Sequence, residues 1–388
     1  MEMQVKGIHY QTLQPVLVEV ENGFVKKIRI LQEEAENLPF IAPGLVDLQV
    51  NGYNGIDFNN KNLTVKEVVN ITKQLLAQGV TTYFPTVITN SREHILNALS
   101  MIAQACSESE LVDSCIGGIH LEGPFISSEE GPLGAHNLQY VCAPDWGLFQ
   151  EFYQASAEKI KIITLSPEWP EAVAFTKKCV AKGVLVAIGH TAANSAQIAA
   201  VVDAGAKMST HLGNGSHQVL PRHPNYIWDQ LADERLSACI IGDGFHLPKS
   251  VIKVIEKVKG DQTILVSDSV SLAGLPAGNY DTPVGGRVVL TPEGKLHLAG
   301  KPGVLAGSAQ TLLQAVTNLY RQKQYSLADA WKMASVNPAR LLKTQVQNGL
   351  QEGAPADLVL FRQHNEKLHV ITTYKNGSGL FNAGQHLN

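Results

Sequence analysis

The middle of the chain alternates short apolar runs with amphipathic stretches, and this rhythm constrains the fold more than any other feature. Helix-type spacing of apolar residues covers residues 65–78, 93–105, 171–182 and 250–259. Eight consecutive βα units favour an α/β fold, a (β/α)8 TIM barrel, over an open doubly wound sheet. The eight strand-like runs are GLVDLQV, TTYFPTVI, IGGIHLE, KIITLSP, VLVAIGH, KMSTHL, LSACIIGD and TILVSDS.

Both ends of the chain carry strand patterns of a different kind. Residues 15–31 alternate apolar and polar side chains around Asn22-Gly23, which is a hairpin turn signal. The segments GAPADLVLF and KLHVITTYKNG near the C-terminus are also typical of strands. Because chain termini tend to lie close together, we predict that both ends join in one small β-sandwich domain. The predicted boundaries are 1–42 and 345–388 for this domain and 43–344 for the barrel.

Charge and cysteine usage exclude several classes of partner. The chain has 31 Lys and Arg against 35 Asp and Glu, a net charge of −4, and its basic residues are scattered, so no nucleic-acid partner is expected. No apolar run approaches the roughly 20 residues that cross a bilayer, and the first residues lack a signal-peptide pattern. The five cysteines are far apart and contain no CxxC pair, as in reduced proteins. We therefore expect a cytoplasmic protein without a membrane partner.

Ionisable residues recur at the ends of the predicted strands, where barrels carry their chemistry. Strand three ends in Glu122, strand five in His190 and strand six in His211. A single histidine at a strand end is more often structural, with its ring nitrogens satisfied by backbone groups. One carboxylate and two histidines at the same end of one barrel instead match a common catalytic zinc shell, which leaves a position open for water. A bound cation would offset the cost of burying Glu122.

Two further residues are candidates for the reaction itself. Asp268 ends strand eight, where it could accept a proton from an activated water and return it to a leaving group. Its alternative role is that of a helix N-cap or loop anchor. His246 follows strand seven and could polarise a substrate carbonyl or stabilise an oxyanion. Its alternative role is that of a loop histidine at a helix start, before Pro248.

Motifs along nearly the whole chain resemble those of the amidohydrolase superfamily and, within it, of the N-acetylglucosamine-6-phosphate deacetylases. The specific part is HLEGPF followed in order by GHT, THL and SD, whereas NPAR or LAGS alone is a weak signal. The motifs, in order, are APGLVDLQVNG, IHLEGPFIS, GAH at 134–136, AIGHT, STHLGNGS, GDGFH, VSDS, LAGS, NPAR and GAPADLVLF.

The resemblance implies a role for each strand-end residue. It assigns the catalytic metal to Glu122, His190 and His211. It makes Asp268 the general base and acid, and it brings His246 to the carbonyl side of the substrate. The implied fold is a metal-dependent hydrolase barrel, and the implied reaction is hydrolysis of an N-acetyl amino sugar.

The same resemblance implies four substrate contacts and a partner. His136 would hydrogen-bond the sugar, and Asn214 with the backbone of Gly215 would hold substrate oxygens. Arg222 lies at the spacing after the strand-six histidine where the family has a phosphate-binding arginine. Members commonly form homodimers in which this arginine can serve the neighbouring subunit's site.

The end of strand one departs from the pattern of many amidohydrolases. Those proteins have His-x-His there, which binds a second metal, and this chain has Gln49-Val50-Asn51. Amide side chains are neutral oxygen donors and poor zinc ligands beside imidazole. We therefore predict one divalent metal ion, with zinc favoured and iron or another divalent ion as alternatives.

The loop between EGPFIS and GAH is the second departure. Relatives usually carry basic residues there that help to bind the 6-phosphate, and this chain has SEEGPL with Glu129 and Glu130. Acidic groups near a phosphate would repel it. Arg222 with His223 could still bind the phosphate, because one arginine can contact it through two hydrogen bonds.

The resulting hypothesis is hydrolysis of N-acetylglucosamine 6-phosphate to acetate and glucosamine 6-phosphate, in amino-sugar catabolism. The first alternative keeps the chemistry but acts on an unphosphorylated N-acyl sugar, an N-acyl amino acid or a cyclic amide. The second is a non-catalytic binding protein on the same fold. A deaminase ranks last because that chemistry often uses the His-x-His that is missing here.

Overall fold

The computed structural model describes residues 2–32, 37–282, 286–323 and 325–385. The N-terminal segment forms four strands, and the turn between the second and third lies at Asn22 and Gly23, with φ angles of 53° and 83°. Positive φ at both central residues is the geometry of a tight two-residue hairpin, so the predicted hairpin is confirmed. The four strands are β1 (Glu2–His9), β2 (Pro15–Glu21), β3 (Phe24–Ile30) and β4 (Phe40–Pro43).

Eight parallel strands then form the barrel, and each pairs with the next in chain order. The backbone N–H of Asp268 donates to the carbonyl of Gln49 at 3.0 Å, so the end of the last strand returns to the first. The predicted eight-stranded barrel is confirmed. The barrel strands are β5 (Leu45–Val50), followed by a short hairpin of β6 (Gly52–Tyr53) and β7 (Ile56–Asp57), and then β8 (Val80–Ile88), β9 (Ile119–Glu122), β10 (Ile160–Leu165), β11 (Leu185–Ile188), β12 (Met208–Ser209), β13 (Ser237–Ile241) and β14 (Thr263–Val266).

Helices follow the barrel strands and bury one apolar side against the sheet. The first helix begins after Thr64, whose side chain forms a capping box with Glu67, and it buries Val68, Ile71 and Leu75. Among the described residues, no helix is long and apolar enough to cross a membrane. The helices are α1 (Val65–Leu76), α2 (Arg92–Glu108), α3 (Glu110–Cys115), α4 (Trp146–Ala155), α5 (Ala172–Ala181), α6 (Ser195–Asp203), α7 (Tyr226–Ala232), α8 (Lys249–Lys259), α9 (Leu312–Arg321), α10 (Leu327–Met333) and α11 (Val336–Leu341).

An antiparallel sheet that we did not predict from the sequence is inserted after β14. It comprises β15 (Gly278–Thr282), β16 (Gly286–Leu290), β17 (Leu296–Leu298) and β18 (Lys301–Leu305). It has a small apolar core of its own, which includes Leu272. The segment therefore folds as an appendage on the catalytic end of the barrel.

The C-terminal strands complete the sheet that the N-terminal strands begin. Strands β19 (Leu358–His364), β20 (Lys367–Lys375) and β21 (Ser378–Asn382) join it in the order β21-β20-β19-β4-β1-β2-β3. The prediction that both ends build one β domain is confirmed. The boundaries at residues 43 and 345 stay predictions. A buried ion pair of 2.7 Å joins Lys375 to Asp357, and Lys375 also donates to Thr82 of β8, so the sheet is fixed to the barrel.

Candidate active site

Three of the predicted site residues adopt a strained backbone conformation at the same end of the barrel. His190, His211 and Asp268 each lie two residues beyond the end of their strand, and their φ angles are 49°, 24° and 46°. A left-handed conformation costs a non-glycine residue about 1–3 kcal/mol, and such residues cluster at functional sites. The strain indicates that the surrounding structure holds these side chains in place for a purpose other than stability.

The predicted metal ligands converge at this end of the barrel. Glu122 Oε1 lies 3.0 Å from His211 Nε2 and 3.3 Å from His190 Nε2. The two Nε2 atoms are 3.1 Å apart. All three side chains are buried, with at most 7% of any of them exposed. One carboxylate oxygen and two imidazole nitrogens therefore meet at a single point.

His136 also reaches this cluster, although we predicted it as a substrate contact. Its Nε2 lies 3.3 Å from Nε2 of His190. Ligand atoms of Glu122, His136 and His190 all lie within 4.8 Å of one another. The histidine of the GAH motif therefore adds a third nitrogen on the side of His190.

The spacing of these atoms fits a divalent cation. Ligands at zinc bond lengths in a tetrahedron would lie about 3.3 Å apart, and the ligand atoms of Glu122, His190 and His211 are 3.0–3.3 Å apart. His190 Nδ1 lies 2.8 Å from the carbonyl oxygen of Pro132, which accepts its proton and leaves Nε2 free to bind a metal. A set of imidazole nitrogens and a carboxylate oxygen suits zinc.

The electrostatics of the cluster separate the roles of its carboxylates. Burial alone would raise the pKa of Glu122, but hydrogen bonds from His190 and His211 outweigh it and hold that pKa well below its usual value. Burial would lower the pKa of His211, but Glu122 raises it to about 9. The pKa of Asp268 is raised to about 6 because burial outweighs the favourable charge of His211. Glu122 is thus the anion of the site, and Asp268 can exchange a proton near neutral pH.

Gln49 and Asn51 act on these carboxylates as hydrogen-bond donors. Nε2 of Gln49 donates to Oε1 of Glu122 at 3.0 Å, and Nδ2 of Asn51 donates to Oδ1 of Asp268 at 2.7 Å. The amides at the end of strand one therefore bind and orient these two carboxylates.

His246 is held by an acid three residues before it. Its Nδ1 lies 2.7 Å from Oδ2 of Asp243, and Oδ1 of Asp243 accepts the backbone N–H groups of Phe245 and His246. The hydrogen bonds of His246 hold the pKa of Asp243 below its usual value although burial raises it. Asp243 therefore stays ionised, and it fixes the proton of His246 on Nδ1 and the orientation of its ring.

The remaining predicted substrate contacts lie on the loop after β12. Nδ2 of Asn214 donates to the carbonyl of His211 at 3.2 Å. Gly215 lies directly under the His190 ring, because a Cβ atom there would be 2.7 Å from Nδ1. Arg222 is exposed, and within the described part of the chain its side chain forms no ion pair. The loop thus contacts both His190 and His211, while the side chain of Arg222 is exposed.

The acidic loop after β9 packs against the same region. Oε2 of Glu129 lies 3.2 Å from Nε2 of His217, so this acid faces a histidine. A Cβ atom at Gly131 would be 2.9 Å from the Cα of His217. The loop that we expected to repel phosphate therefore has one of its two acids paired.

Four residues of the site were not assigned a supporting role from the sequence. Gln49 and Asn51 were considered only as poor metal ligands, and Asp243, which follows strand seven in the sequence, was given no role. Glu168 was not named. Its signal in the sequence is an acid three residues beyond the end of β10, one position further than His190, His211 and Asp268 lie beyond their strands.

Comparisons with known proteins identify the family of this chain. Residues 40–379 match the amidohydrolase family. An N-acetylglucosamine-6-phosphate deacetylase from Lysinibacillus sphaericus is 32% identical over 333 residues, which cover 84% of this chain and 82% of that protein. The chain therefore belongs to the amidohydrolase family and, within it, to the group of the N-acetylglucosamine-6-phosphate deacetylases.

Solved structures of this group have the same fold. The deacetylase of Thermotoga maritima has a TM-score of 0.84 at 27% identity, covering 98% of this chain and all of that one. A mutant Mycobacterium smegmatis deacetylase in complex with N-acetyl-D-glucosamine-6-phosphate has a TM-score of 0.84 at 26% identity, over 98% of this chain and 99% of that one. The barrel and the small sheet are thus the shared architecture.

Proposed function

We propose that this protein is a metal-dependent deacetylase that hydrolyses N-acetylglucosamine 6-phosphate to acetate and glucosamine 6-phosphate. The observation that carries the proposal is the convergence of Glu122, His190 and His211 beside the buried carboxylate of Asp268. The relatives that carry this enzyme name support the choice of substrate.

One divalent ion, zinc by preference, would be held by Glu122, His190 and His211. When bound, such an ion lowers the pKa of water and polarises a carbonyl group. His136 is the alternative to His211 as the third ligand, since its Nε2 lies 3.3 Å from that of His190. A single ion is favoured because the amide of Gln49 already donates a hydrogen bond to Glu122.

Asp268 would transfer the protons of the reaction. Its carboxylate accepts a proton from the attacking water, while the water oxygen forms the new bond to the acetyl carbon. The same proton then goes to the sugar nitrogen as the C–N bond breaks, so that acetate and a free amine leave. Its pKa of about 6 suits both transfers near neutral pH. Asn51 keeps the carboxylate oriented through its 2.7 Å hydrogen bond.

His246 would face the acetyl oxygen. Because Asp243 accepts the proton on Nδ1, the other ring nitrogen, Nε2, is the atom that can act on the substrate. A protonated Nε2 donates to the oxygen as negative charge develops there. Asp243 holds the ring in this orientation through its 2.7 Å contact with Nδ1.

His136, Asn214 and the backbone of Gly215 would bind the sugar, and Arg222 would bind the phosphate. The relatives that are named for this phosphorylated sugar support a phosphorylated substrate. Arg222 can contact phosphate through two hydrogen bonds.

We also propose a homodimer in the cytoplasm. Apolar side chains near Arg222 are exposed, Val219 by 87% and Trp228 by 51%, and a second copy would cover them. The same contact would bring Arg222 towards the neighbouring site. The five cysteines are free, as in a reducing compartment. A monomer by light scattering at micromolar concentration would contradict the dimer.

The test is acetate release by zinc-loaded protein from N-acetylglucosamine 6-phosphate and from N-acetylglucosamine at equal concentration. We expect a strong preference for the phosphorylated sugar. A preference for the plain sugar would mean that the acidic loop has changed the substrate specificity to an unphosphorylated sugar. Release from neither sugar would overturn the proposed substrate class, and N-acyl amino acids would then be tested.

A further inference from the structure

Glu168 connects three neighbouring loops at the catalytic end of the barrel. It lies in the loop after β10, and its Oε2 accepts the hydroxyl of Ser166 and the backbone N–H of Ala192, both at 2.8 Å. Its Oε1 accepts the hydroxyl of Ser127 at 2.7 Å. Ser127 belongs to the loop after β9 and Ala192 to the loop after β11. One side chain thus joins the loops that follow β9, β10 and β11.

These contacts surround the backbone of His190. The N–H of Ser127 donates to the carbonyl of His190 at 2.9 Å. The hydroxyl oxygens of Ser166 and Thr191 are 2.8 Å apart. The carbonyl of His190 is therefore hydrogen-bonded to Ser127. Of the next two residues, Ala192 is bound by Glu168 itself, and Thr191 contacts Ser166, which is bound by Glu168.

The backbone of His190 needs such support because its φ is 49°. A strained conformation of this kind persists only where the surrounding structure over-determines it. If the chain relaxed at His190, the ring would leave the point where it meets Glu122. The hydrogen bonds around Glu168 are the contacts that oppose this relaxation.

We infer that Glu168 is a positioning residue for the metal centre, which acts through the backbone of residues 190–192 to aim Nε2 of His190. This inference rests on the proposed function only in taking His190 as a metal ligand. A carboxylate suits the task because it is an acceptor only and can accept three donors at once, whereas a glutamine has one acceptor oxygen. Its charge also strengthens each of these hydrogen bonds.

A purely structural role would have a different signature. Glu168 would then stabilise the loops, so its loss would lower the unfolding temperature and leave the metal affinity of the folded protein unchanged. A positioning role changes the metal affinity itself. Partners that orient metal ligands typically change affinity by about 10- to 100-fold when removed.

The experiment is a zinc titration of Glu168→Ala against a chromophoric chelator, with the unfolding temperature of each metal-stripped protein measured in parallel. We expect the zinc dissociation constant to rise about 10- to 100-fold. Glu168→Gln keeps the shape and one acceptor oxygen, so it should fold and show a smaller rise. Glu171→Ala is the matched control, because Glu171 is exposed and its side chain makes no cap hydrogen bond at the start of α5.

The outcomes separate this inference from the proposed function. Zinc affinities of Glu168→Ala and Glu168→Gln within about twofold of wild type, with tight zinc binding by wild type, would overturn the positioning role alone. If Glu168→Ala does not fold, the Glu168→Gln titration decides. A wild-type protein that binds no divalent metal would overturn both.

Discussion

Replacing Gly215 with alanine should weaken metal binding, because the added methyl group would meet the ring of His190. A Cβ atom at this position would lie 2.7 Å from Nδ1 and 2.8 Å from Cε1, whereas ordinary contacts begin at 3.4 Å. The ring must therefore move by about 0.7 Å, the difference between 3.4 and 2.7 Å, if the backbone stays in place. Metal sites tolerate shifts of only about 0.2 Å in ligand distance.

The variant also carries a backbone cost that has to be separated from the clash. Gly215 has a φ of 54°, and a left-handed conformation costs alanine about 1–2 kcal/mol. Gly183 supplies the control, since its φ is 74° and nothing lies within 4 Å of a Cβ atom there. Gly183→Ala should therefore lose a similar free energy of unfolding and keep its zinc affinity.

The assay is the zinc dissociation constant by chelator competition, with the free energy of unfolding from urea denaturation of the metal-stripped proteins. We expect zinc binding of Gly215→Ala to weaken about 10- to 100-fold, because the displaced ring also loses its hydrogen bond to Pro132. Equal zinc affinities in both glycine variants would mean that the loop, and not the His190 ring, moves to accommodate the methyl group.

Asp268→Asn should bind zinc normally and lose about 10²- to 10⁴-fold in kcat, because an amide cannot accept the proton; normal turnover would exclude Asp268 as the base. The wild-type rate should fall as the pH drops through about 6 or below, where the carboxylate of Asp268 becomes protonated; a rate that stays unchanged down to pH 4 would contradict this. Arg222→Ala should raise KM about 10- to 100-fold for the phosphorylated sugar alone; equal effects on both sugars would mean that Arg222 does not contact phosphate. His211→Asn should lose the metal and His136→Asn should retain it; the reverse result would make His136 the third ligand.

The sequence was sufficient for the architecture because the fold depends on patterns that repeat. Eight apolar runs predict eight strands, and the hairpin signal Asn22-Gly23 marks the turn between β2 and β3. The inserted sheet after β14 escaped prediction because its strands are short and largely exposed, with residues such as Lys301 and Val304 facing solvent. Alternation of apolar and polar residues is weak in a strand such as β18, which buries none of its side chains fully.

The positions of Glu122, His190 and His211 also followed from the sequence, because parallel strands bring their carboxyl ends together. The supporting contacts did not, since they depend on loop conformation. Nothing in the sequence indicates that Glu168 reaches Ala192, or that the carbonyl of Pro132 accepts from His190. Such contacts join residues 24 and 58 positions apart.

The roles of Gln49 and Asn51 also could not be predicted from their residue types. Their residue types suggest weak metal ligands, and only the structure shows that their nitrogens donate to Glu122 and Asp268. An amide offers both a donor and an acceptor, so the sequence alone cannot say which end faces a carboxylate.

The most direct test of a one-metal hydrolytic site is the activity of metal-stripped protein reloaded with zinc in small steps. Acetate release from N-acetylglucosamine 6-phosphate should rise linearly and stop rising at one zinc per chain, while Asp268→Asn binds the same one equivalent and releases none. Activity without metal, or a rise that continues to two equivalents of zinc, would contradict a hydrolytic site with one metal ion.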